Sequence, residues 1–320
     1  MHPVLFTIFG FPISPYGLLI ACGLVTGVLI AIRRARKIGI PEEAVLDVVF
    51  WGVILGFVGA RVAYIAVEWR EFLRDPLALI VSRQGFVFLG GLIAAIPVVF
   101  FFLRRWRVRF GAMADLLTPP LALAHAFGRT GCFFAGCCYG KVTSMPWGVQ
   151  FPRILDAQGH LVGSPALLDQ VQAGLLPASS AHSLPVHPTQ LYDVGIQLTL
   201  FVVLVTLWNR RKFHGQIFLI YLWIYPITRI ILEFYRGDLE RGVWLGGVST
   251  SQILSMLIVF VALFLTLRQR TLFAPADAPV MLEPHPAGNR ESPIGNRSPM
   301  PDPRSPASAR TLGRSHARTR

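Results

Sequence analysis

The sequence predicts an all-α polytopic membrane protein with about seven transmembrane helices. Three observations carry that prediction. Hydrophobic residues fill 53% of the 320 positions, and mean hydropathy is +0.54. Charged residues make up only 15%, where a soluble domain carries roughly 25%. Apolar runs of spanning length recur through residues 1–270, so the hydrophobicity is spread along the chain rather than confined to one segment.

A helix crossing about 30 Å of hydrocarbon needs about 20 mostly apolar residues. The first such run covers 14–32. No basic stretch precedes it and no small-residue cleavage site follows it, so it is expected to be a retained span rather than a removable signal. The second covers 44–67. The third, 87–103, is short and glycine-rich at its start, which suits a re-entrant beginning. The fourth covers 112–128. The fifth, 190–208, opens just after Pro188, a residue suited to a first helical turn. The sixth and seventh cover 215–235 and 250–267.

The loops alternate in charge. RRARK (33–37), RRWRVR (104–109), NRRK (209–212) and RQR (268–270) lie on one side. EWREFLRDP (68–76), the long 129–189 segment and GDLERG (237–242) lie on the other and mix signs. Basic loops stay in the cytoplasm, which predicts an outer N-terminus and a cytoplasmic C-terminus. The long loop then faces the periplasm, or the outer side of a single membrane. The net charge of +13 is accounted for by this placement, so nucleic acid is not the expected partner.

Two domains are expected: a membrane-embedded body over 1–270, within which 141–186 forms an outer loop or cap, and a tail over 271–320. The tail is rich in Pro, Ser and Arg and lacks apolar periodicity, so it is expected to be disordered. It reads either as a solvated appendage or as a weak attraction to anionic lipid. No solenoid-period repeat and no inverted repeat of a transporter is present. Four cysteines are too few for a disulfide scaffold.

Ionisable residues at span level point to chemistry, because each costs about 2.5–3.5 kcal/mol at a helix centre and so usually faces a cavity or a partner. Arg61 follows GFVGA in the second run. Arg129 ends the fourth, and Asp115 and His125 lie in or beside it. Arg229, Glu233 and Arg236 fall in ITRIILEFYRGD (227–238). Arg229 and Glu233, four apart, share a helix face and suit an internal ion pair. That leaves Arg61, Arg129 and Arg236 without an evident acid. Four arginines at one depth of the outer half suggest an anionic ligand, since the guanidinium fork takes phosphate in bidentate fashion and stays charged when partly desolvated. At that depth the simplest phosphate is a phospholipid head group.

Arg129 is embedded in FGRTGCFFAGCCYG (127–140), which has glycines at 128, 131, 136 and 140. These suit either an irregular turn lining a site or small-residue helix packing. HPTQLYD (187–193) brings His187, Gln190 and Tyr192 to the point where the chain re-enters the membrane.

In these strings the chain resembles the bacterial phosphatidylglycerol–prolipoprotein diacylglyceryl transferases. The likeness covers about residues 1–268. It rests on SPYGLLI (14–20), GARVAY (59–64), GFVFLGGLI (85–93), GRTGCFFAGCCYG (128–140), HPTQLYD (187–193), RIILEFYRGD (229–238) and SQIL (251–254). It implies seven spans and a transfer of the diacylglyceryl group of phosphatidylglycerol to the lipobox cysteine thiol of a prolipoprotein. A thioether forms and glycerol phosphate leaves. Neither a metal nor a soluble cofactor is implied; the partners are phosphatidylglycerol, the surrounding membrane lipid and prolipoprotein lipobox peptides.

The resemblance also implies roles. Arg129 matches the arginine of the family's glycine-rich signature, with Gly128 and Gly131 beside it, and would bind the lipid phosphate and stabilise the leaving group. Arg229 would be a second phosphate ligand, and Glu233 would orient it. Tyr16 matches a tyrosine of the first span. Arg61 and Arg236 match further arginines, and His187, Gln190 and Tyr192 match the string HPxQLYE.

Four positions depart from the family's pattern. The family commonly has histidine, sometimes tyrosine, before the paired glycines of the third span, where this chain has Leu89. Its signature usually reads GRxGNFxNGE; here Cys132, Ala135 and Cys137 replace two asparagines and the glutamate. With no histidine at 89, the acceptor thiol loses its proton either through electrostatic lowering of its pKa beside the arginines or to His125, one turn before Arg129. Cys132, Cys137 and Cys138 read as small fillers around a glycine turn, ahead of any redox, metal or nucleophilic role. Two other functions stay open: a paralogue using another acceptor, and a non-catalytic lipid-binding or transport protein.

Overall fold

The computed structural model describes residues 6–8, 11–81, 87–155, 164–238 and 248–283. Two short strands, β1 (Phe6–Ile8) and β2 (Phe11–Ile13), pair antiparallel. The helices follow as α1 (Pro15–Ile38), α2 (Glu42–Val67), α3 (Trp69–Arg74), α4 (Pro76–Val81), α5 (Phe88–Trp106), α6 (Phe110–Ala135), α7 (Pro165–Gln172), α8 (Thr189–Leu207), α9 (Gln216–Glu233), α10 (Thr250–Leu267) and α11 (Gln269–Leu272). The seven expected spans correspond to α1, α2, α5, α6, α8, α9 and α10.

Local chemistry sets the helix ends. Ser14 caps α1, accepting from the Gly17 N–H at 3.2 Å, with Pro15 at the first helical position. In α10, Ser249 and Gln252 satisfy each other's backbone N–H groups in a capping box. Asp115 of α6 caps a different helix: its carboxylate accepts from Gly215 N at 2.8 Å and Phe218 N at 3.0 Å at the start of α9. A buried carboxylate is favourable there because a helix N-terminus offers unpaired N–H groups and positive potential.

Among the described residues, six of the long helices are apolar and long enough to cross a membrane. They turn large apolar side chains outward, as at Phe57 of α2 and Phe260 of α10, a face suited to lipid and not to water. The fold is thus all-α and polytopic. The seventh helix, α6, is 26 residues long, about 39 Å at 1.5 Å per residue, but is not apolar enough to count among the six. The reason is its position. It packs against α1, α8 and α9, so its polar residues meet protein partners. It runs antiparallel to α1 along its length: Tyr16 lies over Gly131, Gly23 against Ala124 and Phe127, and Gly27 against Pro120.

GARVAY and FLGGLI prove to be two halves of one interface. A Cβ built at Gly59 would lie 2.7 Å from Gly90 O, and one at Gly90 would lie 2.6 Å from Gly59 O. This is close small-residue packing between membrane helices. Gly90 and Gly91 are inside helix α5, not in a re-entrant stretch; the preceding residues 82–86 lie outside the described residues. Gly90→Val is expected to destabilise the protein by about 1–3 kcal/mol, towards the upper end because the obstacle is backbone. Thermal unfolding in detergent would register it, and an unchanged midpoint would refute this packing.

The helices alternate, so the molecule has two distinct ends. At one, Arg34 and Arg211 both stack on Trp208, at 4.8 and 4.1 Å from its ring. Residues 273–282, assigned to the tail on composition, carry contacts to this end. His214 N donates to Ala274 O at 2.9 Å, and Arg109 Nε to Pro279 O at 2.8 Å. Residues 284–320, the rest of the expected disordered tail, lie outside the described residues.

Candidate active site

The C-terminal halves of α6 and α9 reach the opposite end together, and the N-termini of α1, α8 and α10 meet them there. Arg129 lies on the last turns of α6. Its Nε is 2.7 Å from Oδ2 of Asp193 on α8, a carboxylate only 2% exposed. The same oxygen is 3.9 Å from Nε2 of His125, whose ring meets Tyr225 edge-on at 5.4 Å. Gln197, one turn further along α8, donates Nε2 to Oδ1 of Asp193 at 3.4 Å.

On α9, Arg229 and Glu233 form the expected pair, Nη2 to Oε2 at 3.0 Å. The Arg229 side chain is 10% exposed, and its Nη1 is buried with no hydrogen-bond partner among the described residues. Arg236 follows; its Nε donates to Oδ1 of Asp238 at 2.8 Å, and its Nη2 pairs with the other oxygen. Arg229 is near enough to Arg129 and Arg236 to feel the charge of each. Each of the three guanidinium groups has a carboxylate neighbour, and the Arg229 Nη1 is left over as a buried donor without an acceptor among the described residues.

The turn after α6 is fixed by the start of α8. Gly136 ends the helix at φ 72, a left-handed cap that glycine adopts without strain. Thr189 Oγ1 donates to Cys138 O at 2.8 Å, and Gln190 Nε2 to Cys137 O at 2.6 Å. Gly140 then threads between His187 and Tyr235. A Cβ there would stand 2.5 Å from His187 O and 2.8 Å from Tyr235 O, so only glycine fits. HPTQLYD and the glycine-rich string thus meet across this turn.

A cavity of about 460 Å³ opens between α8 and α9, and none of the three arginines lines it. Thr228, Ile231 and Tyr235 line it from α9 and its C-terminal end, with Tyr192 and Ile196 from α8 and Trp147 from the 141–155 segment. Tyr192 Oη accepts from Trp147 Nε1 at 2.7 Å and lies 3.2 Å from His187 Nδ1. The cavity's chiefly apolar lining suits a hydrocarbon body.

The family model for prolipoprotein diacylglyceryl transferase matches residues 3–268 of this chain. The chain belongs to that family. Relatives named phosphatidylglycerol–prolipoprotein diacylglyceryl transferase include one from Clostridium tetani, 35% identical over 266 residues, 82% of this chain and 96% of the relative. Another, from Finegoldia magna, is 30% identical over 279 residues, 87% and 99% of the two chains. A third, from Pectobacterium atrosepticum, is 31% identical over 272 residues, 82% and 91%.

The geometry corrects several expectations drawn for this family member. Arg129 and Arg236 do have acid partners, Asp193 and Asp238. Asp193 ends the string HPTQLYD, so an acid in an otherwise apolar helix was the available signal. The four arginines do not all converge. Arg61 donates Nη2 to the carbonyls of Leu79 and Ile80 on α4 and lies 5.5 Å from the Tyr64 ring, away from the other three. Residues 128–135 are helical, not an irregular turn, because the α6 ladder continues until Gly136. Gly128 has neither a close neighbour nor positive φ; a Cβ there would meet open space. Gly131 is required by Tyr16, whose Cα would lie 3.1 Å from a Cβ at 131. Gln190 is buried and holds the turn. Tyr225, not singled out from sequence, packs on His125. The three thiols Cys132, Cys137 and Cys138 have Sγ atoms all within 4.8 Å of one another.

Proposed function

We propose that this protein transfers the diacylglyceryl group of phosphatidylglycerol to the lipobox cysteine thiol of a prolipoprotein. The observation that carries the reading is the cluster of Arg129, Arg229 and Arg236 at one end of a membrane-embedded bundle, with a buried guanidinium nitrogen of Arg229 unsatisfied. Phosphatidylglycerol supplies an acceptor for that nitrogen: a phosphate anion attached to two acyl chains. The relatives' names supply the acceptor.

In this reading Arg129 and Arg229 hold the phosphate, and Arg236 adds charge from the loop. The cavity between α8 and α9 admits the lipid laterally. Glu233 orients Arg229, and Asp193 orients Arg129. The acceptor sulfur attacks the glyceryl carbon bearing the phosphate ester; the C–O bond breaks, a C–S bond forms, and glycerol phosphate leaves with the electron pair. Charge grows on the departing phosphate, where fixed donors act most strongly. Tyr16, packed over Gly131, and the pair His187–Tyr192 border the acceptor's path. Residues 141–186 cap that path, with Trp147 at the cavity rim. Arg61 acts further out, by holding α2 against α4.

His125 takes the acceptor's proton. It lies beside Asp193, whose carboxylate stabilises the imidazolium that results. His125→Ala is expected to lower kcat about 10²-fold while leaving lipid binding unchanged. Full activity in that variant would assign deprotonation to the arginines' field alone. The reading also sets α6 as a seventh span and puts the active end outside and the basic end in the cytoplasm of a bacterial inner membrane, in keeping with the basic residues gathered around Trp208 at the far end.

The test is complementation. A host depleted of its own transferase receives this gene, and its prolipoproteins are weighed. Restored diacylglyceryl mass on the lipobox cysteine is the expected result. A correctly inserted protein that leaves prolipoprotein unmodified would remove the reading.

A further inference from the structure

Three thiols gather beside the arginines and have no part in the reaction proposed above. Cys132 is in the last turn of α6, and Cys137 and Cys138 follow its Gly136 cap. The reversal at Gly136 lets Cys137 N–H donate back to Cys132 O at 3.2 Å. Cys138 is itself left-handed, at φ 58, a conformation rare outside Gly, Asn and Asp. Neighbouring side chains in extended backbone point to opposite faces, and the left-handed residue breaks that alternation. Thr189 and Gln190 hold the strained carbonyls from α8. The result is three free, partly buried thiols with sulfurs within 4.8 Å of one another.

A disulfide explains only two of them. Cys137 and Cys138 are neighbours, with Cα atoms about 3.8 Å apart across a trans peptide, below the usual disulfide span of about 4.4–6.8 Å. A bond from Cys132 to either would leave the third without a role. A soft cation uses all three. Thiolates select Zn²⁺ and Cu⁺, and with metal–sulfur bonds of about 2.3 Å the sulfurs around one ion stand about 4 Å apart.

We propose that Cys132, Cys137 and Cys138 form a three-thiolate site for one thiophilic d¹⁰ cation, Zn²⁺ or Cu⁺, at the edge of the arginine cluster. Binding exchanges three S–H protons, released to solvent, for three metal–sulfur bonds, and no electrons change hands. The loaded site carries net negative charge, because three thiolates outweigh either cation. Arg129 and Arg236 both act electrostatically on Cys138, so the loaded site competes with an anionic lipid for them. That competition rests on the proposed lipid reading; the site itself does not.

The full chain, reduced and reconstituted in phosphatidylcholine nanodiscs, is titrated with Zn²⁺ alone and, separately, Cu⁺ alone against a competing chelator. Metal per chain is counted by mass spectrometry. Cd²⁺ serves as a second probe, reporting sulfur ligation through its charge-transfer absorption. One ion per chain is expected, with the absorption lost in Cys132→Ser and Cys137→Ser and kept in Cys22→Ser, a cysteine exposed on α1. Thermal unfolding of each variant verifies folding. Retention of the ion by the triple serine variant would overturn the site, as would no ion held against the chelator. Two of the three thiols already joined in protein purified without reductant would overturn it too. If the ion binds but phosphatidylglycerol affinity is unchanged, the competition is overturned and the site stands.

Discussion

Arg129→Lys is expected to lower kcat by about 10²–10³-fold, the usual cost of losing one donor to transition-state charge, while the protein remains folded. The two halves of that expectation have separate causes. Arg129 pairs with Asp193 through Nε, and lysine keeps the charge that satisfies the buried carboxylate. What lysine lacks is the planar fork that grips a phosphate in two places. A single-turnover assay with phosphatidylglycerol and a lipobox peptide measures the loss, and thermal unfolding measures the retained fold. Activity within about threefold of the parent would show that Arg129 serves only as a counter-ion. Such a result falls far short of the 10²-fold that a transition-state donor supplies.

Asp193→Ala is expected to act through the fold. It leaves Arg129 as a buried charge without its partner and removes the nearest carboxylate from His125. Breaking one side of a buried ion pair costs about 3–5 kcal/mol, enough to lower the unfolding temperature markedly and to reduce the yield of inserted protein. Asp193→Glu is the informative companion, because the family string ends in glutamate. It should restore most of the stability and activity if its longer side chain reaches the guanidinium. Equal thermal stability of Asp193→Ala and the parent would mean that the α6–α8 ion pair contributes nothing to the fold.

These two residues mark what the sequence could and could not reveal. Arg129 was legible because a permanent charge in an apolar run demands a partner or a ligand. Asp193 carried its own signal as an acid in an apolar helix, but the pairing was not legible, because it crosses from α6 to α8 and no spacing rule within one helix reports it. Arg229 and Glu233 were legible for the converse reason, being one turn apart. Arg61 shows the limit of reasoning by depth alone. Its run position sets it at the level of the other arginines, but position around the helix decides what a side chain meets, and Arg61 meets the carbonyls of α4.

The long helices were readable from apolar run length, α6 included, although it is the least apolar of them. Its runs were visible as a span candidate, while the cause of its polar content, enclosure by α1, α8 and α9, appears only in three dimensions. The glycines divide the same way. Composition marked all four between 128 and 140 as special. Only the packing separates Gly136 and Gly140, which the turn needs, and Gly131, which Tyr16 needs, from Gly128, which nothing crowds.

The most direct measurement uses purified protein in nanodiscs with a synthetic lipobox peptide and one lipid at a time, the peptide being weighed after incubation. With phosphatidylglycerol the cysteine should gain one diacylglyceryl group. It should gain none with phosphatidylcholine, and almost none when Arg129→Lys replaces the parent. A folded parent protein that leaves the peptide mass unchanged in phosphatidylglycerol would contradict the claim that Arg129, Arg229 and Arg236 hold that lipid for transfer.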